Sequence, residues 1–261
     1  VRALGGLPPI KFHCAVLGID AYIVKVEVNI ASGGLPYYST VGLPNGAVKE
    51  SKDRVKAAIK NSNFQYPYKI ITINLAPADI KKEGAAFDLP IAIGILAASE
   101  QVRKNKLSST AILGELSLDG KVRPIKGGLS IALAMKKHNI SNIIVPQENA
   151  KEFAMVDKIN VFPVESLRET VAFLNQELDI SPYRVNIQEI FRNNRDYEVD
   201  FSEVKGQQHA KRAMEIAAAG GHNIFLVGPP GAGKTMLAQA LPGILPELNR
   251  EESLEVTKIY S

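Results

Sequence analysis

The chain has 261 residues, 46% of them hydrophobic, with 31 Lys and Arg against 27 Asp and Glu, a net charge of +4 and a pI near 9.0. This content can bury the core of one or two domains and excludes a disordered chain. The lone cysteine, Cys14, excludes an internal disulfide and a cysteine-based zinc site and fits a reducing, cytoplasmic setting. The longest apolar run, Leu89 to Ala98, contains Pro90 and falls well short of the ~20 residues a membrane span needs, so no membrane association is expected.

Strands are expected at Phe12–Gly18 and Tyr22–Ile30, the second with Val24, Val26 and Val28 alternating against Lys25, Glu27 and Asn29. Cys14 lies in the first of them, which favours packing over catalysis. A third strand is expected at Tyr37–Gly42. Asn45 then caps a helix through about Asn61, with Val48, Val55, Ala58 and Ile59 on its apolar face. Tyr68–Leu75 reads as a buried strand, 76–87 as a loop, and Asp88 as the cap of an apolar helix that tolerates Pro90 in its first turn.

Beyond it come a strand at Ala111–Leu116, a turn at Asp119-Gly120, a helix over Gly128–His138 and a strand at Asn142–Val145. A short helix near Asn149–Met155, a strand at Asn160–Phe162 and a helix from Ser166 to about Gln176 complete an α/β pattern of strands mixed with single helices. Leu178 to Tyr197 has little periodicity and reads as a linker. The expected division is a domain over 1–176, a linker over 177–199 and a second domain over 200–261.

The second domain carries Gly228-Pro229-Pro230-Gly231-Ala232-Gly233-Lys234-Thr235, which fits the phosphate-loop pattern GxxxxGK[ST] at every fixed position. Asn223–Val227 before it reads as a buried strand, and Met236–Leu241 after it as the start of a helix. Glycines let backbone N–H groups curl around a phosphate without a Cβ in the way. The Lys234 ammonium suits the β- and γ-phosphates, the Thr235 hydroxyl suits Mg²⁺, and the helix start at Met236 favours the anion. ATP with Mg²⁺ is the cofactor expected at Gly228–Met236. The acidic strand that completes such ATPases is not legible after Thr235, and the tail Pro246–Ser253 is polar and helix-like. With Val1 as first residue, the expectation is a piece of a longer protein with poor nucleotide affinity of its own and no intact catalytic set.

Charge is uneven. From Asp200 onward 6 basic residues face 7 acidic ones, and before it 25 face 20. This tolerates nucleic-acid binding without demonstrating it. Aromatics are few and do not alternate with basic residues along the chain, so no single-strand stacking platform is legible. His13, His138, His209 and His222 lack metal-ligand spacing. His138 reads as a helix C-cap and His222 as a turn residue or a neighbour of the nucleotide. Asp79, Glu83 and Asp88 resemble a carboxylate set, but Glu83 reads as a solvated loop charge and Asp88 as a cap. Lys81, Lys82, Lys136 and Lys137 are candidate phosphate contacts that read equally as solvated surface.

Two groups of residues resemble a known family. One is Ser32-Gly33-Gly34-Leu35-Pro36, Val41-Gly42-Leu43-Pro44, Glu50-Ser51 and Arg54-Val55, followed by Asn74-Leu75-Ala76-Pro77-Ala78-Asp79 and Lys82-Glu83-Gly84 with Phe87-Asp88-Leu89-Pro90. The other is Phe201, Val204-Lys205-Gly206-Gln207 and Gly220-Gly221-His222-Asn223 ahead of the phosphate loop. Together, and over essentially the whole chain, they are similar to the ComM/YifB group of magnesium-chelatase-like AAA+ proteins. The resemblance implies an α/β (α+β) first domain folded like the Lon proteolytic domain and ribosomal protein S-five domain 2, then the start of a P-loop AAA+ domain. It further implies a ring-forming, hexameric ATP-driven motor acting on DNA in transformation or recombination.

Lon proteases use a serine nucleophile and a lysine base, and neither works alone. Carried onto this chain, the serine's place after Lys82-Glu83-Gly84 is taken by Ala86. The lysine's place after Pro124-Ile125-Lys126-Gly127-Gly128-Leu129 is taken by Ser130. Lys126 is an inserted lysine with no serine to serve. A Lon-type protease is therefore disfavoured. A metal-chelatase motor subunit and a non-catalytic DNA- or partner-binding module remain as alternatives.

Overall fold

In a computed structural model of the chain, the described residues are 10–16, 21–80, 82, 84–185, 199–246, 248–249 and 252–253, with backbone alone at 10–16, 47, 49 and 108. They fall into two compact units that part between Val185 and Asn186. No helix among them is long and apolar enough to cross a membrane.

The first unit is mixed α/β. Strands β1 (Ile10–Val16), β2 (Tyr22–Ala31), β3 (Tyr37–Val41), β4 (Ile70–Ala76), β5 (Thr110–Ile112), β8 (Asn142–Pro146) and β9 (Asn160–Val164) form one sheet in the order β3-β4-β2-β1-β5-β8-β9. The centre is antiparallel, with β2 between β1 and β4. The remaining pairs, β3 with β4 and β1-β5-β8-β9, are parallel. Parallel neighbours need crossovers, and the helices supply them. Helix α1 (Gly46–Asn61) joins β3 to β4, α3 (Gly128–Lys137) lies between β5 and β8, and α4 (Ala150–Ala154) between β8 and β9. A small hairpin of β6 (Glu115–Leu116) and β7 (Val122–Arg123) precedes α3.

The core centres on α2 (Asp88–Ala98), buried along its length except at its last residue, which packs on β1 and β2 and touches α1 and α5 (Leu167–Leu174). A helix apolar on all sides belongs inside a protein. Each fully buried Ile or Leu here contributes about 1.5–3 kcal/mol of burial. Val24, Val26 and Val28 of β2 and Ile71, Ile73 and Leu75 of β4 supply the sheet side of the core. Asn45 caps α1 as its sequence implies, its side chain accepting from the Val48 N–H at 3.1 Å. Ser166 does the same for α5 through the Glu169 N–H at 3.2 Å. His138 closes α3 as its C-cap.

Several sequence expectations need correction. Asp88 is not a cap: Phe87 holds that position, and Asp88 is the first helical residue, buried and turned to Arg54. Tyr68 is 61% exposed and precedes β4, so the buried strand starts at Ile70. The strand expected over Ala111–Leu116 is broken at Gly114, where an added Cβ would lie 2.7 Å from Val122. Lys82 is not solvated surface but fully buried, and its ammonium donates to the Pro77 carbonyl. Lys81 and Glu83 lie outside the described residues, as do the side chains of His13 and Cys14. Of the segment read as a linker, Tyr183 and Arg184 lie beside β9. The Tyr183 N–H donates to the Val161 carbonyl at 2.8 Å, and Arg184 reaches Asn160 at 3.2 Å.

Candidate functional site

The second unit is built around Val204, Met214, Leu237 and Ala240, with Phe201, Ile224, Leu226, Leu241 and Ile244 packed against them. Its first turn, Phe201–Glu203, is fixed by a capping box in which Asp200 accepts from the Ser202 N–H and Glu203 from the Asp200 N–H. The Ser202 side chain, and then the Ser202 N–H, hold the Asp200 carboxyl below its usual range. Gly206 and Gln207 then take left-handed backbone and lead into α6 (Gln208–Gly220). At the other end of α6, Gly221 is left-handed and the His222 N–H returns to the Ala217 carbonyl at 2.8 Å. A Cβ on Gly220 would lie 2.6 Å from the His222 ring, so the exposed ring packs closely over Gly220 and would have to swing aside for a larger residue.

Asn223–Val227 is not the buried strand its sequence suggests. It forms no ladder, because no strand lies beside it among the described residues. Its apolar residues divide between two sides: Ile224 and Leu226 turn into the core, while Phe225 and Val227 are 89% and 82% exposed. Gly228-Pro229-Pro230-Gly231-Ala232-Gly233 follows as a loop and opens directly into α7 (Lys234–Ala240). Thus α7 starts two residues before the expected Met236.

The loop geometry suits an anion. Gly231 (φ 80°) and Gly233 (φ 78°) are left-handed, and open space surrounds the place of a Cβ at each. The loop closes through the Ala232 N–H to the Pro229 carbonyl at 3.3 Å. Lys234 folds back over it, its ammonium donating to the carbonyls of Gly228 and Pro229 at 2.8 Å each. Thr235 is exposed beside it, and Met236 follows with partial exposure. All nine residues singled out in the sequence therefore form one continuous turn of chain. Gln207 was not singled out for this site, yet its side-chain amide donates to the Ala232 carbonyl at 3.4 Å and ties the entry of α6 to the loop. Adjacent left-handed residues at 206–207 are visible only in the backbone.

In the first unit, the places carried over from the Lon dyad are both buried. Ala86 sits in the turn before α2, its carbonyl accepting from the Gly114 N–H at 3.1 Å, and Ser130 lies within the first turn of α3. Neither is a nucleophile–base pair, and Lys126 is exposed. The notable charge is Asp88, completely buried against Arg54, with Nε–Oδ2 at 2.8 Å and a further contact from the Leu116 N–H at 3.3 Å. Burial pushes its pKa up to about 6, against the opposing pull of Arg54. Among the described residues the buried cation is Lys82, whose pKa desolvation lowers, with Asp79 opposing. It is a structural tie: its N–H donates to the Leu43 carbonyl and its carbonyl accepts from the Asn45 N–H. Lys136 and Lys137 are exposed at the end of α3, where the helix dipole favours them.

Comparison with known proteins matches both units. A family model described as subunit ChlI of Mg-chelatase fits residues 26–149, and one described as magnesium chelatase, subunit ChlI, fits residues 200–261. The chain is 42% identical over 254 residues to the competence protein ComM of Haemophilus influenzae, covering 97% of this chain and 49% of ComM. It is 45% identical over 247 residues to the uncharacterized protein YifB of Escherichia coli, covering 95% of this chain and 48% of YifB. The chain thus spans about half the length of these relatives. A weaker match, 25% identical over 142 residues, covers 53% of this chain and 25% of Lon protease 2 of Bacillus subtilis. With both units matched in chain order, the protein belongs to the magnesium-chelatase-like ComM/YifB family.

Proposed function

We propose that the whole protein is an ATP-hydrolysing AAA+ motor, assembled as a ring and acting on DNA, with its phosphate loop at Gly228–Thr235. The observation that carries this is the pose of Lys234. Its ammonium is held above a glycine loop by two carbonyls, contacts that phosphate oxygens can replace. Open space at Gly231 and Gly233 leaves room for an anion against the backbone. These residues fit a nucleotide: Gly228–Gly233 would wrap its phosphates, Lys234 would offset their charge, and the exposed Thr235 hydroxyl would take Mg²⁺. Bound Mg²⁺ neutralises charge that develops on the transferred phosphoryl group.

On this reading the first unit is a Lon-protease-like domain, of the ribosomal protein S-five domain-2 type, that has lost its chemistry. The match to Lon protease 2 supports that fold, and Ala86 and Ser130 support the loss. The DNA step draws on the printed name of one relative, competence protein ComM. Lys234→Ala in the full-length protein should abolish ATP turnover, and wild-type turnover should rise when DNA is added. Unchanged turnover in Lys234→Ala would remove the phosphate-loop assignment. An intact ATPase indifferent to DNA would remove only the DNA step and leave a chelatase-type motor.

A further inference from the structure

The fold assembles on the first unit what the linear sequence does not display: a strip of lysines and tyrosines. Lys52, Lys56 and Lys60 fall one turn apart on α1, about 6 Å of rise between neighbours. Tyr38 of β3 and Tyr66 and Tyr68, just ahead of β4, come up alongside. The Lys52 ammonium lies 5.7 Å from the Tyr38 ring centre, and Lys56 lies 5.8 Å from both Tyr66 and Tyr68. Lys60 lies 5.2 Å from Tyr68. Four of the six lysine–aromatic contacts among the described residues fall on this one strip, so it is a cluster and not scatter.

The strip is available to a partner. Among the described residues none of the three ammoniums has a carboxylate within ion-pair distance, whereas Arg54 on the same helix is committed to Asp88. Tyr68 is 61% exposed and stands edge-on to Tyr66, ring centres 6.0 Å apart at 76°. Lys60 at its hydroxyl holds the Tyr68 pKa below the usual phenol value. Burial, with Tyr68 and then the Asp53 carboxylate adding to it, pushes Tyr66 up to about 12, and the buried Asp88 acts in the same sense on Tyr38.

We propose that this strip binds single-stranded nucleic acid, with the lysines on the phosphates and the exposed Tyr68 ring stacking on a base. The argument is one of paired chemistry. An acidic protein surface would use the lysines and leave the rings idle, and a buried duplex offers no open base faces. A single strand uses both, since every base has a π-face and every linkage a charge. The proposal rests on the DNA-motor reading only for the choice of DNA as probe.

The test is fluorescence anisotropy of a labelled 20-nucleotide oligo-dT with the 261-residue chain, without nucleotide, at 50 mM and 200 mM salt. Binding should be measurable at low salt. Lys56→Ala with Lys60→Ala should weaken it about tenfold or more and reduce the slope of log affinity against log salt by about 1.4. Tyr68→Ala should weaken it by about 5-fold or more with that slope unchanged. Asp53→Asn should tighten it. These side chains are at the surface, and circular dichroism checks that each variant is folded. No binding by the wild type, or wild-type affinity in the double lysine variant, overturns the proposal. So does a Tyr68→Ala variant that binds as the wild type does, or poly-glutamate that competes as well as unlabelled oligo-dT. None of these outcomes touches the ATPase reading, which DNA-stimulated turnover of the full-length protein tests separately.

Discussion

Arg54 grips Asp88 through both carboxylate oxygens, Nε to Oδ2 at 2.8 Å and a terminal nitrogen to Oδ1 at 3.2 Å, with the carboxylate fully buried and the guanidinium still partly exposed. The pair joins α1 to the start of α2, and the Leu116 N–H adds β6 to the same carboxylate. Three elements distant in sequence thus converge on one charge.

This pair predicts an unusual pH dependence. Burial raises the Asp88 pKa from 3.8 to about 6, so the folded chain binds this proton more readily than the unfolded chain. Its contribution to stability is full below about pH 4 and is lost as the pH rises through about 6. Relative to Asp88→Asn, the wild type should gain on the order of 2–3 kcal/mol between pH 7 and pH 4. Urea unfolding of both proteins at the two pH values measures this. A difference that is flat, or that shrinks on acidification, would show that the Arg54 contact outweighs burial.

Gly42 is a point of backbone contact. A Cβ there would lie 2.1 Å from the Leu75 carbonyl oxygen, and its φ of 97° is already costly for any other residue. Gly42→Ala should cost about 3 kcal/mol or more, since the obstacle is backbone that cannot swing aside. Gly33→Ala is the control. Its φ is 110°, but its Cβ meets nothing, and a cost near 1–2 kcal/mol is expected. Equal denaturation midpoints for the two variants would contradict the contact.

Gly233→Ala separates folding from binding. Nothing in the chain obstructs a Cβ at Gly233, so stability should fall by only about 1–2 kcal/mol from its left-handed φ. In the full-length protein the same methyl would enter the space proposed for phosphate, and ATP turnover should drop by more than tenfold. Full turnover at reduced thermal stability would relocate the phosphate.

The absence of a dyad predicts no peptidase activity. The full-length protein should leave casein and fluorogenic peptides intact, because Ala86 offers no nucleophile. Cleavage that vanishes in Ser130→Ala or Lys126→Ala would mean that the register was misplaced. Cleavage surviving both would point to another site.

Much of this was legible because local and tertiary signals agree. The caps at Asn45 and Ser166, the apolar run of α2 and the alternation of β2 each follow from neighbouring residues alone. The phosphate loop is legible for the same reason, since its glycines, Lys234 and Thr235 are consecutive. What escaped depends on partners far along the chain. Asp88 looks like a cap until Arg54, 34 residues earlier, is brought to it. Lys82 looks solvated until the loop folds its stem beneath the Pro77 carbonyl. The tyrosines at 38, 66 and 68 are separated from Lys52, Lys56 and Lys60 in sequence, so only the fold, which brings β3 and the segment before β4 alongside α1, reveals the strip. For Asn223–Val227 neither the strand nor its burial follows from the apolar run, because both depend on neighbours that local sequence cannot supply.

Lys82 has one more consequence. An amine sealed from solvent and held by a carbonyl is shielded from acylating reagents, which act freely on exposed amines such as those of Lys136 and Lys137. The order in which these amines are labelled is therefore a clock on the chain before α2: as long as that segment stays seated against Leu43 and Asn45, Lys82 is the late one.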